Sequence, residues 1–261
     1  MKTLTCFLGL FFSLTPLFGA KTGNPTGKEI MEKVDNREDG KTRVSNLEMI
    51  LISKTGNKRT RKITSKQKDY GKDSKMLMIF EKPADVKGTG YLAWEFNDPK
   101  KDDSRWLYMP AMRKLRRISG SSEDDYFMGT DFTYEDMGER NVEEDTHTLF
   151  GEEKYNGHKC WKIKSIPKSD DDKYTKRIVW VRKDINMIVK VRYFNEHGLL
   201  KILTVEEVKD IDDIWVATKM IMDNKQKEHK TILNFENMKI NIPVPDNLFR
   251  PATLKRGSVR H

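Results

Sequence analysis

The chain has 261 residues and a formal net charge of +9, with 36% hydrophobic, 34% charged and 10% aromatic residues. Five Trp, twelve Phe and eight Tyr are enough to build a core, which excludes wholesale disorder, and the length suits one or two domains. The basic balance comes with no recognisable nucleic-acid motif, so nucleic acid is not an expected partner.

The first twenty residues, MKTLTCFLGLFFSLTPLFGA, carry Lys2, an apolar run from Leu4 to Leu14, a break at Pro16 and small residues at Gly19 and Ala20. The run is too short to span a bilayer, so it reads as an export signal, with 21–261 expected to form a single domain outside the cytoplasm. Loss of Lys2 with the signal leaves a charge of +8. An exported basic protein meets anionic envelope surfaces first. Cys6 lies inside the signal and lacks the small preceding residue that a lipid-modified cysteine wants. Cys160 alone remains, so no internal disulfide is expected, and a buried small residue beside Trp161 is the reading for it.

Thr26-Gly27-Lys28-Glu29 has the form of a capping box ahead of Ile30, Met31 and Val34, which predicts one amphipathic helix ending near Arg37. After Gly40 the pattern turns to β. Strands are expected at 43–53, 58–68, 75–81, 90–96, 105–109 and 114–118, the second so basic that it suggests an edge or solvent-facing strand. A second series follows at 147–155, 159–166, 176–182, 188–195, 199–209, 215–223 and 231–240. Its connections carry turn chemistry, as in Asn156-Gly157 and Glu196-His197-Gly198. Short links between successive strands predict an antiparallel meander and exclude a doubly wound parallel fold. Pro243, Pro245 and Pro251 close the sheet ahead of a tail that ends in Arg260 and His261.

One long break, Pro110 to Asp145, interrupts the strands. Loops of that length are lids, binding loops or disorder. Six large side chains, among them Phe127, Met128, Phe132 and Tyr134, predict that Pro110 to Met137 is a lid over an apolar face, with Gly120, Gly129 and Gly138 as hinges.

The strands before the break are apolar on both sides. Met76, Met78 and Phe80 oppose Leu77 and Ile79, Leu92, Trp94 and Phe96 oppose Tyr91 and Ala93, and Trp106 and Tyr108 oppose Leu107 and Met109. Such a sheet is covered on both faces or holds an apolar ligand on one. Met76, Met78, Phe80, Leu92, Trp94, Phe96, Trp106, Tyr108, Met109 and Met112 are therefore the candidate ligand-binding residues. Thirteen methionines add adaptable lining. Arg113, Lys114, Arg116 and Arg117, beside Met109-Pro110-Ala111-Met112, are the candidate contacts for an anionic headgroup or a partner.

Catalytic and metal-binding signals are poor. Ser119-Gly120-Ser121-Ser122 lacks a nucleophile-elbow frame, and Ser65/Lys68 and Ser165/Lys168 lie in or beside strands, where residues three apart face opposite ways. The acidic runs lack calcium-loop spacing, and His147, His158, His197 and His229 stand apart from one another. No catalytic residue, cofactor or metal is expected.

The run Arg105-Trp106-Leu107-Tyr108-Met109-Pro110-Ala111-Met112-Arg113-Lys114-Leu115-Arg116-Arg117-Ile118, followed by Gly129-Thr130-Asp131-Phe132-Thr133-Tyr134-Glu135-Asp136-Met137, resembles the outer-membrane lipoprotein-sorting protein family of bacterial envelopes, related in fold to LolA and LolB. The opening helix, with Met31, Lys33, Val34, Asp35 and Arg37, resembles that family's start. The resemblance implies a strongly curved antiparallel sheet, an incomplete barrel, with a helix and loops over its concave side and a cavity for acyl chains. It further implies a periplasmic carrier, a monomer, that takes lipoprotein or lipid acyl chains and meets membranes peripherally, with an inner-membrane exporter as a plausible partner. The alternatives are a transporter-associated scaffold without cargo and a phospholipid hydrolase using Ser119, Ser121 or Ser122.

Overall fold

The computed structural model describes residues 23–98 and 100–255; the signal, Cys6 and the tail with Arg260 and His261 lie outside the described residues. Helix α1 spans Gly27–Asp35. Thr26 caps it, its side chain accepting from the Glu29 backbone N–H while the Glu29 carboxylate accepts from the Thr26 N–H, so the expected capping box forms.

Strands β1 (Thr42–Ile52), β2 (Lys58–Tyr70), β3 (Asp73–Lys82), β4 (Gly90–Glu95), β5 (Ser104–Met109) and β6 (Lys114–Ile118) step outward as a meander. After a long crossover, β7 (Asp145–Tyr155), β8 (His158–Pro167), β9 (Lys176–Arg182), β10 (Met187–Asn195), β11 (Gly198–Ile211), β12 (Ile214–Asn224) and β13 (His229–Ile240) step back until β13 pairs with β1. The result is one thirteen-stranded antiparallel sheet, open between its edges β6 and β7. Register shifts in β1, β2, β7, β10 and β11 mark bulges, which bend and twist such a sheet. The mainly β half-barrel with one N-terminal helix is thus the observed fold.

The expectation for the second strand needs correction where it suggested an edge. Strand β2 is internal, paired with β1 and β3. Its concave side supplies the buried Ile63 and Ser65, while Lys58 and Lys62 on the opposite face stay exposed. Polarity on one face reports solvent on that face, not a missing neighbour.

Connecting edge β6 to edge β7 obliges residues 119–144 to cross the concave face, and they do so as short 3-10 turns. With α1 they cover a core that includes Leu47, Met49, Ile63, Phe80, Tyr91, Phe127, Phe132 and Tyr134. The helix lies directly on strand backbone: a Cβ on Gly27 would sit 2.7 Å from the His147 carbonyl carbon and 2.8 Å from the Leu149 nitrogen. On the convex face the C-terminal segment, with Val244, Phe249 and the short helix α2 (Pro251–Leu254), covers Leu77, Ile79 and Leu92. Cys160 is free and buried in a separate cluster with Trp180, Val189 and Val205, as its sequence context suggested.

Candidate functional site

A cavity of about 530 Å³ lies between the sheet and its covering elements. Met31 and Val34 of α1, Leu47 of β1, Met76 and Met78 of β3, Phe132 and Met137 of the crossover, and apolar residues of β9 to β13 line it. Seven methionines are among them: Met31, Met76, Met78, Met137, Met187, Met220 and Met238. Unbranched thioethers let one wall accept differently shaped apolar guests. The exposed lining residues, Asp35 and Glu139, place the opening between the end of α1 and the crossover at 138–142. Arg43 straddles that rim, 2.9 Å from Asp39 and 3.8 Å from Glu139. Burial, reinforced by Asp39, lifts the nearby Asp69 carboxyl to about 6.

Of the candidate residues, Met76, Met78 and Phe132 face the cavity. Phe80, Phe127, Tyr134, Met109 and Met128 belong to the packed core beside it. Leu92, Trp94, Trp106 and Tyr108 point the other way and pack beneath the C-terminal segment, where Trp94 meets Trp106 edge-on at 4.9 Å and donates its indole N–H to the Phe249 carbonyl. Phe96 is half-buried past the end of β4, under the Lys101 ammonium. Met112 is exposed in the β5–β6 turn. The placement of these side chains in one cavity is thus corrected by register. Met78 pairs with Tyr91 and Leu77 with Leu92, so even positions in β3 share a face with odd positions in β4. Alternation alone does not fix that phase across the 83–89 connection.

Arg113, Lys114, Arg116 and Arg117 are exposed on and beside edge strand β6, and none lines the cavity. The expected adjacency of these cations to the cavity mouth is not found, because the concave side of β4 to β6 is packed core rather than cavity wall. Ser119 and Ser121 are exposed, and Ser122 accepts from Arg116; among the described residues none of the three is hydrogen-bonded to a histidine.

The crossover is pinned by ring packing and by buried charge pairs. Phe127 is fully buried against Phe80, Tyr91 and Tyr134, with ring centroids 5.1 to 6.1 Å apart. The Asp131 carboxylate accepts from Thr231 Oγ1 and pairs with His229 Nδ1, both at 2.7 Å. Lys201, fully buried in β11, donates to the Asp131 carbonyl and pairs with Asp136, which also accepts from the Tyr174 hydroxyl. Arg140 holds Glu135 and Asp145 at 2.7 Å, and Asp172 at the same distance. Burial, then Asp172, raises the Glu135 carboxyl to about 7. Glu95, beneath Gly138, is pushed to about 8 by burial and by Glu139. These anchors were missed because charged residues in a loop rich in acids look solvated; the signal available was the Thr130–Asp136 motif itself.

Half-barrel, inserted helix, crossover and apolar cavity together define the LolA-like class of fold. A family model described as "Uncharacterized protein" matches residues 72–256. The crystal structure of a DUF1329 family protein from Desulfovibrio piger is 30% identical, with 87% of this chain and 97% of that chain covered and a TM-score of 0.83. A protein from Vibrio parahaemolyticus, described as an outer membrane lipoprotein-sorting protein domain, is 32% identical over 88% of this chain and 98% of its own, also at 0.83. A LolA superfamily protein from Nitrosomonas europaea shares the fold at 18% identity, 87% and 98% coverage and a TM-score of 0.67. No curated protein matches the sequence. The chain belongs to the DUF1329 family, within the LolA-like fold.

Proposed function

We propose that this protein is a non-enzymatic periplasmic carrier that buries the acyl chains of a lipoprotein or lipid in the half-barrel cavity. The observation that carries the reading is the methionine-rich cavity of about 530 Å³ between the sheet and α1, a size within the range of small-molecule sites. Hydrophobic transfer supplies the affinity. At about 0.8 kcal/mol per methylene, ten buried methylenes contribute roughly 8 kcal/mol before ordering costs. A relative's description as an outer membrane lipoprotein-sorting protein domain supports the same role. The export signal supports the compartment, and delivery from an inner-membrane exporter to an acceptor membrane fits both. The exposed cations of β6, away from the cavity opening, suit a partner or an anionic membrane surface rather than the headgroup of bound cargo. The test is native mass spectrometry of protein purified from cell envelopes: an adduct of lipid mass that survives gentle desolvation supports the carrier, and a clean apo mass with no uptake of a fluorescent lipid overturns it.

The filled end of the concave face favours a second reading, a cargo-free scaffold for a transporter. Cross-linking to one envelope complex, with no lipid in the protein, would support it.

A further inference from the structure

A polar row crosses the concave face at β7 to β9. In register across β7 to β9 stand His147, Ser165 and Arg177, and all three line the cavity. The neighbouring row is apolar, with Leu149, Ile163 and Val179 paired in the same order. A polar wall in an apolar cavity needs partners, and here each group's bonds can be counted.

His147 Nε2 lies 3.0 Å from the Val142 carbonyl, which can only accept, so Nε2 carries the proton. Nδ1 is therefore the acceptor, and the Ser165 hydroxyl, 2.8 Å away, donates to it. Among the described residues, that leaves the lone pairs of Ser165 Oγ without a donor. Burial lowers the His147 pKa and keeps the ring neutral, in agreement with this pattern. Arg177, 6% exposed, has a buried Nη1 with no hydrogen-bond partner, although Asp145 stands 3.5 Å away. A donor that is ion-paired but not hydrogen-bonded and an acceptor thus lie on adjacent strands.

The surrounding charges decide the ligand's class. Arg140 and Arg177 already face Asp145, Asp172 and Glu135, with Glu144 beside Arg140. A further anion would meet carboxylates with no spare cation, so a carboxylate or phosphate is disfavoured. A hydroxyl fits: it accepts from Arg177 and donates to Ser165.

We propose that His147, Ser165 and Arg177 form a polar anchor in the cavity for the hydroxyl of an uncharged amphiphile, a long-chain alcohol or a monoacylglycerol. This rests on the carrier reading and names its ligand class. The test is displacement of Nile red from the full mature chain by hexadecanol, monopalmitoylglycerol and palmitate, at mildly alkaline pH where the acid is ionised. The wild type is expected to prefer the two hydroxyl ligands over palmitate by about tenfold, the scale of one hydrogen bond. Ser165→Ala and Arg177→Lys should each pull that ratio toward one. The ratio is read on folded molecules alone, so partial unfolding of either variant does not mimic the result. Equal displacement by all three ligands, or a preference unchanged in both variants, overturns the anchor and leaves the carrier standing. No binding of Nile red or of any ligand overturns both.

Discussion

Lys201 shows what a single buried charge does in this molecule. Its ammonium is fully buried, paired with Asp136 and surrounded by the rings of Tyr174, Tyr193 and Tyr126. Removing one member strands the other, so Lys201→Met is expected to cost about 3–5 kcal/mol in chemical denaturation, with most of that recovered in the Lys201→Met, Asp136→Leu double variant. A loss under 1 kcal/mol for the single variant would mean that water reaches the pair. Glu95 gives a pH dependence with a definite sign. Its carboxyl is raised from 4.5 to about 8 in the folded protein by burial and Glu139. The stabilisation is therefore fully present below about 4.5 and is lost as pH rises toward 8. Glu135, raised to about 7, acts in the same direction. Thermal melts are expected to show a higher Tm at mildly acidic than at alkaline pH, with a flatter profile in Glu95→Gln. An unchanged profile in that variant would assign the effect elsewhere.

At the scale of elements, strands and helix were largely legible. The capping residues and the period-two runs mark α1 and all thirteen strands to within a few residues. What the sequence could not give was phase. Leu92, Trp94, Trp106 and Tyr108 alternate correctly, but a strand apolar on both sides does not reveal which side faces the cavity; the Ile79–Gly90 register decides that. Met76 and Met78 were placed on the cavity face from the same pattern, and the structure puts them there. The crossover was legible as one aromatic-rich segment, while its role as a fixed plug depends on partners a hundred residues away, such as Thr231 for Asp131. Two measurements follow. Phe127→Ala is expected to cost about 3–5 kcal/mol, as for a buried core aromatic, rather than to weaken lipid retention selectively. Gly27→Val pushes α1 off the β7 backbone, so the apo protein should lose stability and admit Nile red without saturable binding; a native-like melt and normal binding would contradict the close helix contact.

The whole molecule is an open sheet whose two halves meet at β1 and β13 and whose edges are joined across the concave face by the plug. The plug fills one end, α1 roofs the other, and the space left between them is the methionine-rich cavity. The basic residues at the β6 edge do not line the cavity, so on the carrier reading surface attraction and cargo holding would fall to different parts of the fold. The most direct measurement of the central claim is lipid occupancy by native mass spectrometry in wild type and in Val179→Phe, Val191→Phe, whose new rings project from the cavity wall. The account predicts lipid-mass adducts on the wild type and their loss in a double variant that still melts cooperatively. Equal occupancy in both proteins would show that the cavity is not where the lipid sits.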